Sequence, residues 1–296
     1  MTAPRQVLAG TTYLVTRRCA QRQYLLRPDR TSSEVFLYVL ALAAQRYGVQ
    51  VHAYCVLSNH YHLVVTDTRA QLPAFAQLLD ALVARALNAF LGRWESFWAP
   101  CSFSAVTLAG PEDVVSKTAY VLANPVAARL VRSACQWPGL WSSPGSIGSA
   151  AFQVRRPRHF FDSKGGLPEL IGLEVATPPG FETAQAFREQ LVPALATREA
   201  SAARSASGFL GVLKVLAQRP TDRPTSGDPR RRLSPRVAAA DKRKRLEAVG
   251  GLAAFLDAYR MARDAWRAGR RKVVFPCGTY LMRIAHGAPC AAPATG

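Results

Sequence analysis

"VQVHAYCVLSNHYHLVVTD", residues 49–67, holds the reading of the fold. Two runs rich in β-formers, 49–58 and 60–67, flank the short hinge Ser58-Asn59, which is the layout of a β-hairpin. Side chains alternate faces along a strand, so His60 and His62 share one face and Tyr61 takes the other. Two imidazoles about 7 Å apart on one side of a strand can reach one divalent ion. The alternative is a pair of ordinary strand histidines with water or carbonyl partners, because a metal site needs more than two ligands.

Working outward, "QVLAGTTYLVTRR" (6–18) reads as a strand. "SSEVFLYVLALAAQRYG" (32–48) has apolar residues at helical spacing and Gly48 as a stop. A long helix over 71–93 and a strand over 97–108 follow. "GPEDVVSKTAYVLANP" (110–125) opens with Pro and two acids and ends at Pro125, the marks of a bounded helix. The order β-α-β-β-α-β-α predicts an α+β fold, a ferredoxin-like antiparallel sheet with helices on one face.

The chain has 296 residues, 49% of them hydrophobic, which suffices for a core and excludes global disorder. The formal net charge is +19, with a pI near 10.5. Nucleic acid is the first partner such a charge implies, an anionic membrane surface the second. No apolar run reaches the roughly 18 residues of a membrane span, and the N-terminal stretch lacks a signal-peptide layout. Six scattered cysteines, without a C-x-x-C pair, form neither a zinc site nor a disulfide framework. A reduced cytoplasmic protein without a membrane partner is the expectation.

The charge is uneven. Residues 1–150 carry 13 Lys and Arg against 7 Asp and Glu; residues 151–296 carry 25 against 12. Breaker-rich stretches punctuate the second half. The expected organisation is a domain over 1–150, a linker over 151–182, and a basic, mainly helical region over 183–296 with a flexible segment near 219–236.

Tyr120 and Asn124 are spaced i, i+4 and share a helix face. Tyr can act as a nucleophile, and Asn offers a carbonyl oxygen to a hard cation. Tyr120 could equally be a half-buried core residue. Asn124, before Pro125, could equally cap a following helix, "PVAARLV".

Taken together, "VHAYCVLSNHYHLVV" and, about 60 residues later, "AYVLANPVAARLV" resemble the single-tyrosine HUH transposases. Within them they look like the REP-associated tyrosine transposases, relatives of bacterial insertion-sequence transposases. The strand "GTTYLVTRR" fits the same pattern, and the resemblance covers about residues 6–147. It implies an HUH endonuclease fold with His60 and His62 as metal ligands, Asn124 as the third and Tyr120 as the nucleophile. The implied cofactor is Mg²⁺ or Mn²⁺, and the implied substrate is single-stranded or hairpin DNA. The implied reaction leaves a 5′-phosphotyrosine and a free 3′-OH for strand transfer, in a bacterial, nucleoid-associated protein acting as monomer or homodimer.

Single-strand binding joins a basic track to stacking aromatics. Arg17, Arg18 and Arg22 are candidates for phosphates, and Trp94, Trp98 and Phe103 for bases. Lys242, Arg243, Lys244 and Arg245, with Arg271 and Lys272, are candidates for backbone contact from the basic tail. "FWAPCSFSAV" lacks the Arg found in that strand of many relatives. It favours a second expectation, a domesticated hairpin-binding protein of the same fold that no longer cuts. A metallohydrolase using the H-x-H pair alone is a third, but it leaves the net charge unexplained.

Overall fold

The computed structural model describes residues 4–158, 160–224 and 235–293. The chain opens with β1 (Thr11–Arg18), α1 (Arg30–Tyr47), β2 (Val49–Leu57), β3 (His60–Asp67), α2 (Leu72–Phe90), β4 (Ser104–Leu108) and α3 (Pro111–Ala127). Then come β5 (Phe152–Arg155), β6 (Leu170–Leu173), α4 (Ala184–Arg204), α5 (Val212–Leu216), β7 (Val237–Ala238), α6 (Lys242–Arg267) and α7 (Tyr280–His286). The fold is mixed α+β. A five-stranded sheet runs β2-β3-β1-β4-β7, antiparallel except where β7 joins β4.

Local chemistry sets the element ends. Asp29 caps α1 by accepting from Ser32 N, and Gly48 closes it at φ +65°, a left-handed turn that glycine adopts without penalty. Asp67, at the end of β3, accepts from Gln71 N and Leu72 N and so satisfies the start of α2. The hinge Ser58-Asn59 joins β2 to β3 as a hairpin with Leu57 opposite His60.

β2 and β3 are buried along nearly their whole length, the burial expected of strands covered on both faces. The covering layers differ. Tyr61 meets the ring of Phe36 from α1 and bonds Asp80 from α2. His62, on the opposite face, meets Tyr120 from α3. The expectation of helices on one face is therefore corrected: α1 and α2 lie on one side, and α3 lies on the other. The apolar run of β2 and β3 leaves no polar face to point at water, so a helix has to cover each side.

α3 also departs from expectation at its end. It passes through Pro125 to Ala127, and Asn124 sits inside it rather than capping a new helix. Pro125 has no N–H to give the carbonyl of Val121. The Asn124 side-chain amide compensates, donating to Tyr120 O at 2.8 Å and reaching Val121 O at 3.5 Å.

The stretch 151–182, expected as a linker, is built into the core. β5 pairs with β6 beside α1, Tyr38 Oη donates to Pro168 O, and Ile171, Leu173 and Val175 are buried. α4 packs on α3 and buries Phe187, Leu191 and Leu195. α6 and α7 close a smaller cluster around Ala262, Phe275 and Met282. Of the segment expected to be flexible near 219–236, residues 225–234 lie outside the described residues. Among the described residues no helix is long and apolar enough to cross a membrane.

Candidate functional site

β3 and α3 build the site. The alternation of β3 puts His60 and His62 on one face, with ring centroids 4.9 Å apart and planes nearly perpendicular. α3 lies over that face. The ring of Tyr120 stands edge-on to His62 with centroids 5.5 Å apart, while the residue itself stays 37% exposed.

The imidazoles are oriented by neighbours. Asn59 Oδ1 only accepts, so His60 Nδ1 carries the proton in their 2.6 Å bond, and Nε2 keeps its lone pair. Asn59 is in turn held by donating to Arg22 O. Thr16, opposite His62 across β1 and β3, shares a 2.7 Å hydrogen bond with His62 Nδ1. His62 Nε2 is buried and has no partner among the described residues. Burial lowers the pKa of His60 to about 4, helped by the positive charge of Arg18. Burial, His60 and Arg18 push His62 well below its usual value. Both rings are therefore neutral at physiological pH, the form that ligates metals.

These features fit a divalent cation. A buried nitrogen without a partner is costly as it stands, and a cation on its lone pair removes that cost. With the Thr16 bond made by Nδ1–H, both histidines keep Nε2 for a metal. Asn124 lies one turn beyond Tyr120 on α3, its amide nitrogen committed to helix carbonyls, which leaves Oδ1 as its acceptor. Among the described residues no group of three His, Cys, Asp or Glu side chains could hold a metal. The donors that would hold such a cation are the Nε2 atoms of the two imidazoles, with Asn124 Oδ1 as the candidate third.

The proposed DNA contacts fall into three groups. Arg18 is exposed at the end of β1, paired across the strands with His60, and makes no ion pair among the described residues. Arg22 is exposed in the next turn. Arg17 instead bonds Asp80 at 2.9 Å and lies over the Trp98 ring. Its charge is spent inside the protein. Trp98, expected to stack on a base, is only 6% exposed and donates Nε1–H to Asp80 O. It is a core residue, because the Tyr61, Phe97 and Arg17 contacts around it enclose the ring. Phe103 is capped by Arg5, whereas Trp94 is 97% exposed and free to stack.

In the basic tail, Lys244 is held by Glu112 at 2.7 Å, pinning the start of α6 to the start of α3. Arg243 faces Glu247 at 3.8 Å. Arg271 stacks on Trp266, and Lys242, Arg245 and Lys272 are exposed without ion pairs among the described residues. Among the described residues no contact brings these basic residues of the tail next to His60 or Tyr120. The residue that does arrive there from the second half is Arg198, on α4, over the Tyr120 ring. Sequence reasoning missed Arg198 and Thr16, for which no local signal exists. It also missed Asn59, which stands beside His60 in the sequence.

Among the solved structures that resemble the chain are two transposases. One is a REP-associated tyrosine transposase bound to a REP hairpin, with a TM-score of 0.40 and 18% identity over 47% of this chain and 81% of that one. The other is a candidate transposase from Deinococcus radiodurans, with a TM-score of 0.29 and 19% identity over 36% of this chain and 85% of that one. No family model and no curated protein matches. Similarity at this level carries no functional weight, and the site's own geometry is what bears on function.

Proposed function

We propose that the chain is a metal-assisted single-stranded DNA transposase or nickase of the HUH type, acting at hairpin-associated sites through Tyr120. The observation that carries this is the exposed Tyr120 standing against His62, whose buried Nε2 has no partner among the described residues. The mixed α+β fold, with β2, β3, β1 and β4 in one antiparallel sheet, supports the same reading. A net charge of +19 supports a polyanionic substrate.

His60 and His62, with Asn124 Oδ1, would hold Mg²⁺ or Mn²⁺, and nitrogen ligands suit Mn²⁺ at least as well as Mg²⁺. When bound, such a cation neutralises charge on the non-bridging oxygens of a phosphodiester. Thr16 and Asn59 keep the two imidazoles aimed and neutral. Tyr120 Oη attacks the phosphorus, the bond to the 3′ oxygen breaks, and the net proton moves from the phenol to the departing 3′ oxygen. The product is a 5′-phosphotyrosine and a free 3′-OH. One phosphate ester replaces another, so the 3′-OH of a second end can reverse the step without ATP.

The test is a denaturing gel of labelled single-stranded hairpins with Mn²⁺. Wild type forms a covalent adduct and Tyr120→Phe forms none while still shifting the same DNA in a native gel. An adduct on Tyr120→Phe sinks the assignment. One observation favours a second reading, a hairpin-binding protein that does not cut: the stretch 97–106, "FWAPCSFSAV", carries no Arg. That protein would shift hairpins in a native gel and form no adduct with either metal.

A further inference from the structure

We propose that Arg198 is a phosphate-binding catalytic residue: its guanidinium engages the phosphodiester that Tyr120 attacks. This rests on Tyr120 being the nucleophile, and it assigns the anion-binding group of that site to the second half of the chain.

Arg198 Cζ lies 6.0 Å from the centroid of the Tyr120 ring. Its Nη2 donates to Ser116 Oγ at 3.0 Å. Ser116 is one turn before Tyr120 on α3, so both contacts hold the guanidinium to one face of that helix. A guanidinium has five N–H donors, and this bond uses one of them. The backbone behind it is fixed, because α4 buries Phe187, Leu191 and Leu195 and Glu199 accepts from Ala134 N at 2.7 Å.

The charge of Arg198 is not neutralised. It makes no ion pair with a carboxylate among the described residues, whereas Arg17 has Asp80 and Lys244 has Glu112. An uncompensated arginine beside a half-exposed tyrosine offers the planar fork that matches phosphate oxygens. Arg18 pairs across β1 and β3 with His60, and its charge bears on His60 and His62. A phosphodiester arriving at Tyr120 thus meets cations from β1 and from α4. A purely structural Arg198, packed for its contact with the ring, predicts a different response to substrate charge, and that difference is measurable.

The experiment uses the full chain as wild type, Arg198→Lys and Arg198→Met, with a single-stranded hairpin oligonucleotide and Mn²⁺, and reads the rate of adduct formation. Thermal melting verifies that the variants fold. Arg198→Met should slow the adduct roughly 10²-fold, and Arg198→Lys should recover part of the rate. The same DNA is then made with a methylphosphonate at the mapped cleavage position, which removes the charge there. On that substrate Arg198→Met should fall within a few-fold of wild type. The proposal is overturned by Arg198→Met reacting at the wild-type rate, or by a penalty of the same size on the uncharged substrate, which marks a packing role. A wild type that forms no adduct brings down the Tyr120 reading, and this proposal with it. A wild-type adduct with an unimpaired Arg198→Met brings down this proposal alone.

Discussion

The ring of Tyr120 stands edge-on to His62 at 5.5 Å, although the two residues lie 58 positions apart and on different elements. The pairing follows from α3 covering the histidine face of β3. It places a hydroxyl-bearing, solvent-reachable side chain beside a buried imidazole whose Nε2 has no partner among the described residues.

His62→Ala should abolish Mn²⁺ binding by calorimetry together with the covalent adduct. Thr16→Val, which keeps the fold but removes the bond to His62 Nδ1, should weaken Mn²⁺ affinity roughly 10- to 100-fold. Unchanged Mn²⁺ affinity in His62→Ala would remove this residue from the ligand set.

Asn124→Ala should cost about 1 kcal/mol of stability, because its amide donates to the Tyr120 carbonyl and reaches the Val121 carbonyl that Pro125 leaves without a donor. The double variant Asn124→Ala with Pro125→Ala restores a backbone N–H at position 125 and should recover stability but not metal affinity. Urea unfolding beside Mn²⁺ titration separates the two roles of Asn124, and equal recovery of both would show that the amide never touched the cation.

Asp80→Ala should destabilise the chain by about 3–5 kcal/mol. It strands the Arg17 guanidinium and the Tyr61 hydroxyl, both held by this carboxylate beneath the sheet. Burial raises the Asp80 pKa to about 6 against the pull of Arg17 and Tyr61, so the pair is costly to keep and more costly to break. Denaturant unfolding measures the loss; a change under about 1 kcal/mol would mean that the cluster is hydrated in solution.

His52 gives the fold a pH dependence apart from the site. It is fully buried, donates Nδ1–H to Ala176 O and accepts at Nε2 from Thr66, and burial lowers its pKa from 6.5 to about 4. The unfolded chain therefore binds the extra proton first. The stability conferred by neutral His52 is complete above pH about 6.5 and is lost as pH falls toward about 4, up to roughly 3 kcal/mol. His52→Gln should flatten the stability profile over that window by this amount. Parallel profiles for the two proteins would show that His52 is not buried neutral.

Much of this was legible one residue at a time. Strand alternation placed His60 and His62 together, and the helical repeat placed Asn124 one turn from Tyr120, because both periods are properties of the backbone alone. The hairpin at Ser58-Asn59 and the stop at Gly48 were legible for the same reason. Trp98 was misjudged because whether an aromatic ring stacks on a base or fills a core depends on what packs over it. Arg17 was misjudged because its partner, Asp80, is 63 positions away. The stretch 151–182 looked like a linker because its breakers are local, whereas the pairing of β5 with β6 and their docking on α1 are not.

The sequence by itself therefore determined the elements, their order, and which side chains share a strand face or a helix face. Only the tertiary structure decided that α3 lies across the histidine face of the sheet and that α4 follows it there with Arg198. Periodicity says which way a side chain points within its own element, but the face an element chooses is set by burying apolar surface against all the others at once.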